Sequence, residues 1–168
     1  MSIADHLMPE FDHEMASTRT LLERLPDGQG DWKPHPKSLS LGDLAVHIAR
    51  IPFYATLVVR DTEMDLNPVG GMPFPKIPFT STDALLTLFD DYVRDARSAL
   101  VSATDGDMME IWSLKNAGQV VLSMPRVAVY RAMVMNHLIH HRGQLTVYAR
   151  MHDVPLPAIY GPSADTPM

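Results

Sequence analysis

The chain has 168 residues, 46% of them apolar and 20% charged, and a net charge of -6; this describes one globular domain over residues 1–168, able to bury a core without staples. The acidic balance, with no cluster of Lys or Arg, excludes a nucleic-acid groove, whose phosphates need a basic footprint. There is no cysteine, which excludes disulfides, thiolate ligands and a cysteine nucleophile, so any thiol chemistry needs a thiol brought in by a cosubstrate.

Residues 3–24 read as a first helix, with Ile3, Leu7, Phe11, Met15, Thr18 and Leu22 at spacings of three and four. Pro9 is tolerated only near a helix start, so regular helix is expected to begin there. His6, Glu10 and His13 share a face with mostly polar neighbours and read as a solvated stripe. The polar Asp5, His6, Glu10 and Asp12 stand where a signal peptide would be apolar. No apolar run approaches the roughly 20 residues that span a bilayer. The expected location is the cytoplasm.

Pro26-Asp27-Gly28 ends this helix, and the loop through Trp32-Lys33-Pro34-His35-Pro36 follows an extended path, with Trp32 as a lid on one end of the fold. Ser40 is an N-cap, and Asp43 stands where a capping box would reach back. The second helix carries Leu44, His47, Ile51, Tyr54 and Val58 on one stripe, and Pro52 is expected to kink it. Asn67 to Pro78 is a long connector rich in proline and glycine, suited to crossing the bundle end or covering a pocket. Thr80 or Ser81 caps a third helix with Leu85, Leu88, Phe89, Tyr92, Ala96 and Leu100 on its apolar face, ending near Asp105-Gly106.

Ile111–Leu114 and Val120–Leu122 alternate around Asn116-Ala117-Gly118, the pattern of a β-hairpin that Trp112 anchors to the helices. Pro125 opens a fourth helix running to about Met151. Its inward stripe is Val127, Tyr130, Val134, His137, Leu138, His141, Leu145 and Tyr148, and Gly143 within it suggests close packing on a neighbour. The proline-rich tail reads as an extended strap. The whole is an all-α four-helix bundle with long crossovers and a small hairpin before the last helix.

His137 and His141, four residues apart, present both imidazoles on one helical face. A lone histidine in an apolar stripe is ordinarily a satisfied, half-buried residue, and so is His47 taken alone. All three lie on stripes that face the bundle interior, where an unsatisfied imidazole costs about 1–3 kcal/mol. A shared metal satisfies three nitrogens at once, and bundle cores build metal sites from facing helices in this way. Three histidines suit Zn, and also Ni or Fe, and leave the open position of a catalytic site. Asn136 and His140 point away from that face and receive no ligand role. Tyr54, Tyr148 and Arg142 are candidate supporting groups, and Gln144 is a further polar neighbour. Glu-based di-iron chemistry fits poorly, since the last helix has no glutamate. The twelve methionines are core filling.

Three segments together carry a family resemblance: Trp32-Lys33-Pro34-His35 leading to His47, Asn136-His137-Leu138-Ile139-His140-His141-Arg142-Gly143-Gln144, and Pro157-Ala158-Ile159-Tyr160-Gly161-Pro162-Ser163. The sequence resembles the DinB-like (DinB/YfiT) superfamily over nearly its whole length. The resemblance implies a four-helix bundle of up-down-down-up type, a homodimer, and a divalent metal, Zn or Ni, on His47, His137 and His141. For activity it implies thiol-dependent chemistry, S-transfer with a low-molecular-weight thiol or a mycothiol-dependent maleylpyruvate isomerisation, while hydrolysis by a metal-bound hydroxide is the reading of the open site itself; the small-molecule substrate is unknown. The alternatives are a non-catalytic metal-binding protein of the stress response and a structural dimeric bundle. No nucleic acid or membrane is expected as a partner.

Overall fold

Three long helices and a composite fourth form the bundle in this computed structural model, which describes residues 1–71, 74 and 76–167; Met72, Pro73 and Pro75 of the expected connector lie outside the described residues. Helix α1 (Ile3–Leu22) begins ahead of Pro9, contrary to the expected start. The reason is its cap. Ser2 Oγ accepts the Asp5 N–H at 3.1 Å, and the Asp5 carboxylate accepts the Ser2 N–H at 2.7 Å, so the first turn is closed before the proline is reached. Helix α2 (Leu41–Arg60) starts at Ser40, whose hydroxyl accepts the Asp43 N–H. The expected return bond from Asp43 is not made; its carboxylate instead faces Lys76 at 3.5 Å.

Strand β1 (Glu63–Asp65) follows, then α3 (Thr82–Ser102), capped by Ser81, and the short α4 (Asp105–Met109). Strands β2 (Ile111–Asn116) and β3 (Gln119–Pro125) form the hairpin. Ala117 and Gly118 both have positive φ, 50° and 77°, the two-residue turn whose twist matches that of the strands. β1 pairs in parallel with β2, Met64 opposite Leu114, so the hairpin is part of a three-stranded sheet that the sequence pattern did not reveal. Trp112 is buried and ties the sheet to the helices.

The last helix is α5 (Arg126–Val129), a π-helical stretch (Tyr130–Asn136) and α6 (His137–Arg150) in direct succession. Going round the bundle, the order is α1, α3, α2, α6, and each helix packs on its two neighbours in that ring. The connections from α1 to α2 and from α3 to the last helix therefore join diagonal positions. The core includes Phe11, Leu21, Leu44, Ile48, Ile51, Phe89, Leu100 and Tyr130, with Leu138 and Leu145 from α6. α2 is apolar and long enough to cross a membrane by composition, but 56% of that stretch is buried; its apolar residues are the core of the bundle. Gly42 sits where the loop and the connector meet: its N–H bonds Gly30 O at 2.9 Å, and a Cβ there would lie 2.7 Å from the Phe79 side chain. Gly143, in contrast, is exposed, and a Cβ there would meet nothing within 4 Å. The expectation that it packs closely is wrong.

Candidate metal centre

α2 and α6 are neighbours in the bundle, and their facing stripes bring His47, His137 and His141 together, as expected. One ring nitrogen from each lies within 4.8 Å of the others. The Nε2 atoms of His47 and His137 are 3.1 Å apart. The His47 and His141 rings are 4.6 Å apart by centroid and nearly perpendicular, and the His137 and His141 rings are also 4.6 Å apart. All three residues are partly buried. Metal–nitrogen bonds of about 2.0–2.1 Å place two ligand nitrogens of one ion roughly 3 Å apart, so the His47–His137 spacing fits a shared ion without rearrangement.

The π-helical stretch sets this geometry. In a regular α-helix the His137 backbone N–H would bond the Met133 carbonyl. Here it goes to Val134 O instead, and the Met133 carbonyl stands 3.2 Å from the His137 ring Nδ1. A carbonyl only accepts, so Nδ1 carries the proton and the Nε2 lone pair faces the site. His141 is fixed in the same sense: its Nδ1–H donates to Gln144 Oε1 at 2.7 Å. Such partners hold the tautomer and orientation that a metal ligand needs. π turns recur at functional sites, but their hydrogen-bond pattern leaves no mark in apolar periodicity, and the sequence reading took this helix as regular.

Burial pushes the His47 imidazole down to about 4, and the nearby His137, His141 and Arg50 add to the effect. His137 is also lowered, first by burial and then by His141, against the opposing Met133 bond. Neutral imidazole is the form that binds a metal, and the downward shifts favour that form for His47 and His137.

The other expected residues divide. His140 is exposed beside His141, outside the convergent group. Asn136 is also exposed. Arg142 points away from the histidines into an ion pair with Glu14. Tyr148 donates to Leu39 O at 3.4 Å and packs on Trp32. Tyr54 does line the site: with Met64, Leu66 and Met133 it walls a hollow of about 140 Å³ that reaches His47 and His137. On the other side of His47 a hollow of about 300 Å³ is lined by Leu39, Asp43, Val46, Arg50, Lys76 and Ile77. The sequence reading passed over Arg50, although it lies three residues after His47 on the same helix. A separate hollow of about 260 Å³ between α2 and α3, around Phe79 and Leu85, contains no titratable side chain.

A four-helix bundle with three convergent histidines on its second and last long helices fits the class of bundles that can hold a metal ion between facing helices. The model of the DinB superfamily matches residues 10–145, and the chain belongs to that superfamily. It is 25% identical over 163 residues to the uncharacterized protein YrdA of Bacillus subtilis (strain 168), covering 96% of this chain and 90% of that one. Among solved structures it is similar to a DinB-like protein from Bacillus cereus ATCC 10987, with a TM-score of 0.67 and 24% identity over 93% of this chain and 97% of the other. It is also similar to the DinB-like protein YjoA from Bacillus subtilis, with a TM-score of 0.69 and 20% identity over 90% of this chain and 95% of the other. These two likenesses support the fold.

Proposed function

We propose that the chain is a divalent-metal-dependent enzyme of the hydrolase or thiol-dependent S-transferase kind, with Zn or Ni held by His47, His137 and His141. The observation that carries this reading is the convergence of three imidazoles beside open hollows. A structural site would close the shell with a fourth protein ligand, whereas three leave room for a reactant. Bound there, a divalent ion lowers the pKa of a water or thiol toward neutrality. The chain's own part is to hold His137 through Met133 O and His141 through Gln144, and to exclude bulk water with Tyr54, Met64 and Met133.

The test is a screen of the Zn- or Ni-loaded protein against activated esters, and against electrophiles offered with a low-molecular-weight thiol. The reading expects turnover that His141→Ala abolishes together with metal uptake. A His141→Ala protein that kept both would refute the ligand assignment. Wild-type metal binding with no turnover across the screen would favour the non-catalytic alternative. With this reading goes a homodimer, supported by Val147 and Met151, exposed apolar residues one turn apart at the end of the last helix. Sedimentation equilibrium of the wild type and Val147→Glu tests it.

A further inference from the structure

Seven of the chain's arginines face a carboxylate within salt-bridge distance. Arg24 and Arg60 do not, and both are exposed at helix ends. Arg50 is the exception that needs explaining. It is half-buried, its Nε is closed off from solvent, and among the described residues that Nε has no hydrogen-bond partner and the guanidinium no carboxylate. Its guanidinium lies against the Phe74 ring, with Cζ 5.8 Å from the centroid. A half-buried guanidinium left unpaired is unfavourable, and in a chain with net charge -6 carboxylates to pair it with are plentiful.

Its position supplies the reason. Arg50 lines the same hollow as His47, one turn along α2, at a rise of about 4.5 Å. Lys76, the other cation among the described residues of that wall, faces Asp43 at 3.5 Å. Across His47 lies the second hollow, walled by Met64, Leu66, Met133 and Tyr54. Among the described residues, His47 thus stands between a side that carries the Arg50 guanidinium and an apolar side. We propose that Arg50 is the receptor for a single carboxylate of the substrate, whose apolar body lies across His47 toward Met64 and Met133. A guanidinium meets a carboxylate through two parallel N–H bonds. A phosphate dianion suits the site less, because Asp43 lines the same wall and Lys76 is taken.

The proposal rests on the metal-centre reading for the reaction, but anion binding is measurable without it. Calorimetry with octanoate and with its neutral counterpart octanamide, on metal-free and Zn-loaded protein, separates the two. Metal-free wild type is expected to bind octanoate at least tenfold more tightly than octanamide. Arg50→Met should remove that preference while keeping its Zn content and melting temperature, and Arg50→Lys should restore part of it. Octanamide binding as tight as octanoate in metal-free protein, a measurement that needs no variant, would overturn the proposal. So would an unchanged preference in Arg50→Met, or loss of Zn along with octanoate, which would make Arg50 a support of the histidines. A preference seen only in Zn-loaded protein would also overturn it, placing the carboxylate on the metal. Failure to bind Zn with the octanoate preference intact would instead refute the metal centre and leave the anion site standing.

Discussion

Arg142 Nη2 lies 2.6 Å from Glu14 Oε2, and both side chains are sealed from solvent. The same guanidinium donates to Glu14 O at 3.1 Å, to Thr18 Oγ1 at 3.2 Å and to the Tyr160 hydroxyl at 2.8 Å. The Tyr160 hydroxyl in turn donates to Glu14 Oε1 at 2.7 Å. One residue after His141, and so about 100° round the helix from it, Arg142 thus pins the adjoining side of α6 to α1 and to the tail. With that side fixed, His137 and His141 are turned toward α2. Arg142→Met leaves Glu14 buried without its cation and is expected to destabilise the fold by about 3 kcal/mol or more, read from urea unfolding. Tyr160→Phe should remove about 1 kcal/mol. A loss within about 0.5 kcal/mol for Arg142→Met would mean that the pair is not buried in solution.

Gly143 has the opposite character. Its backbone is helical and its missing Cβ faces open space. Gly143→Ala should therefore stabilise the protein by about 1 kcal/mol through helix propensity, with metal content unchanged. Gly143 stands one turn before Val147 on the last helix, so destabilisation would instead place it inside the proposed dimer interface.

The Gln144 amide oxygen accepts from His141 Nδ1 and holds the ring. Gln144→Leu keeps much of the volume and removes the acceptor. Metal affinity should fall about 10–100-fold, measured by competition with a chelator, while the melting temperature of the metal-free protein stays close to wild type. Unchanged affinity would mean that His141 is oriented by packing alone.

Acid should destabilise the fold through carboxylates that the folded state keeps ionised. Asp5 is held below its ordinary 3.8 by the Ser2 N–H and hydroxyl, and Asp107 by the Thr104 hydroxyl and N–H. Burial raises Asp65, but the N–H groups of Asn67, Gly118 and Ala117 outweigh it and the net shift is downward. The unfolded chain therefore binds more protons as pH falls, so this stability is complete above about 4 and is lost below it. His47 acts with the same sign, between 6.5 and about 4. Urea midpoints at pH 6 and pH 3 check the account: Asp65→Asn should be less stable than wild type at pH 6 and lose less on going to pH 3. Equal losses would remove Asp65 from the explanation.

Much of this architecture was legible because apolar periodicity and capping chemistry are local. The stripe of Leu44, His47, Ile51 and Tyr54 located one wall of the site, and the His137–His141 spacing located the other. Ser40 and Ser81 marked helix starts, and Asn116-Ala117-Gly118 marked the turn. The pairing of β1 with β2 was not legible, since Glu63-Met64-Asp65 is too short to carry a pattern and its partner lies some fifty residues on. Nor was the inward burial of Arg142, because it depends on Glu14 and Tyr160 arriving from both ends of the chain. The same holds for Arg50, which reads as an ordinary surface cation until the packing around it leaves it without a counter-charge.

The most direct test of the metal centre is elemental analysis of untagged protein, beside His47→Ala and His141→Ala prepared in the same way. The account predicts about one Zn or Ni per wild-type chain and almost none in either variant, since removing one of three imidazoles leaves too few ligands. A wild type that stays metal-free after incubation with Zn or Ni would contradict it, as would a variant that keeps the full complement of metal.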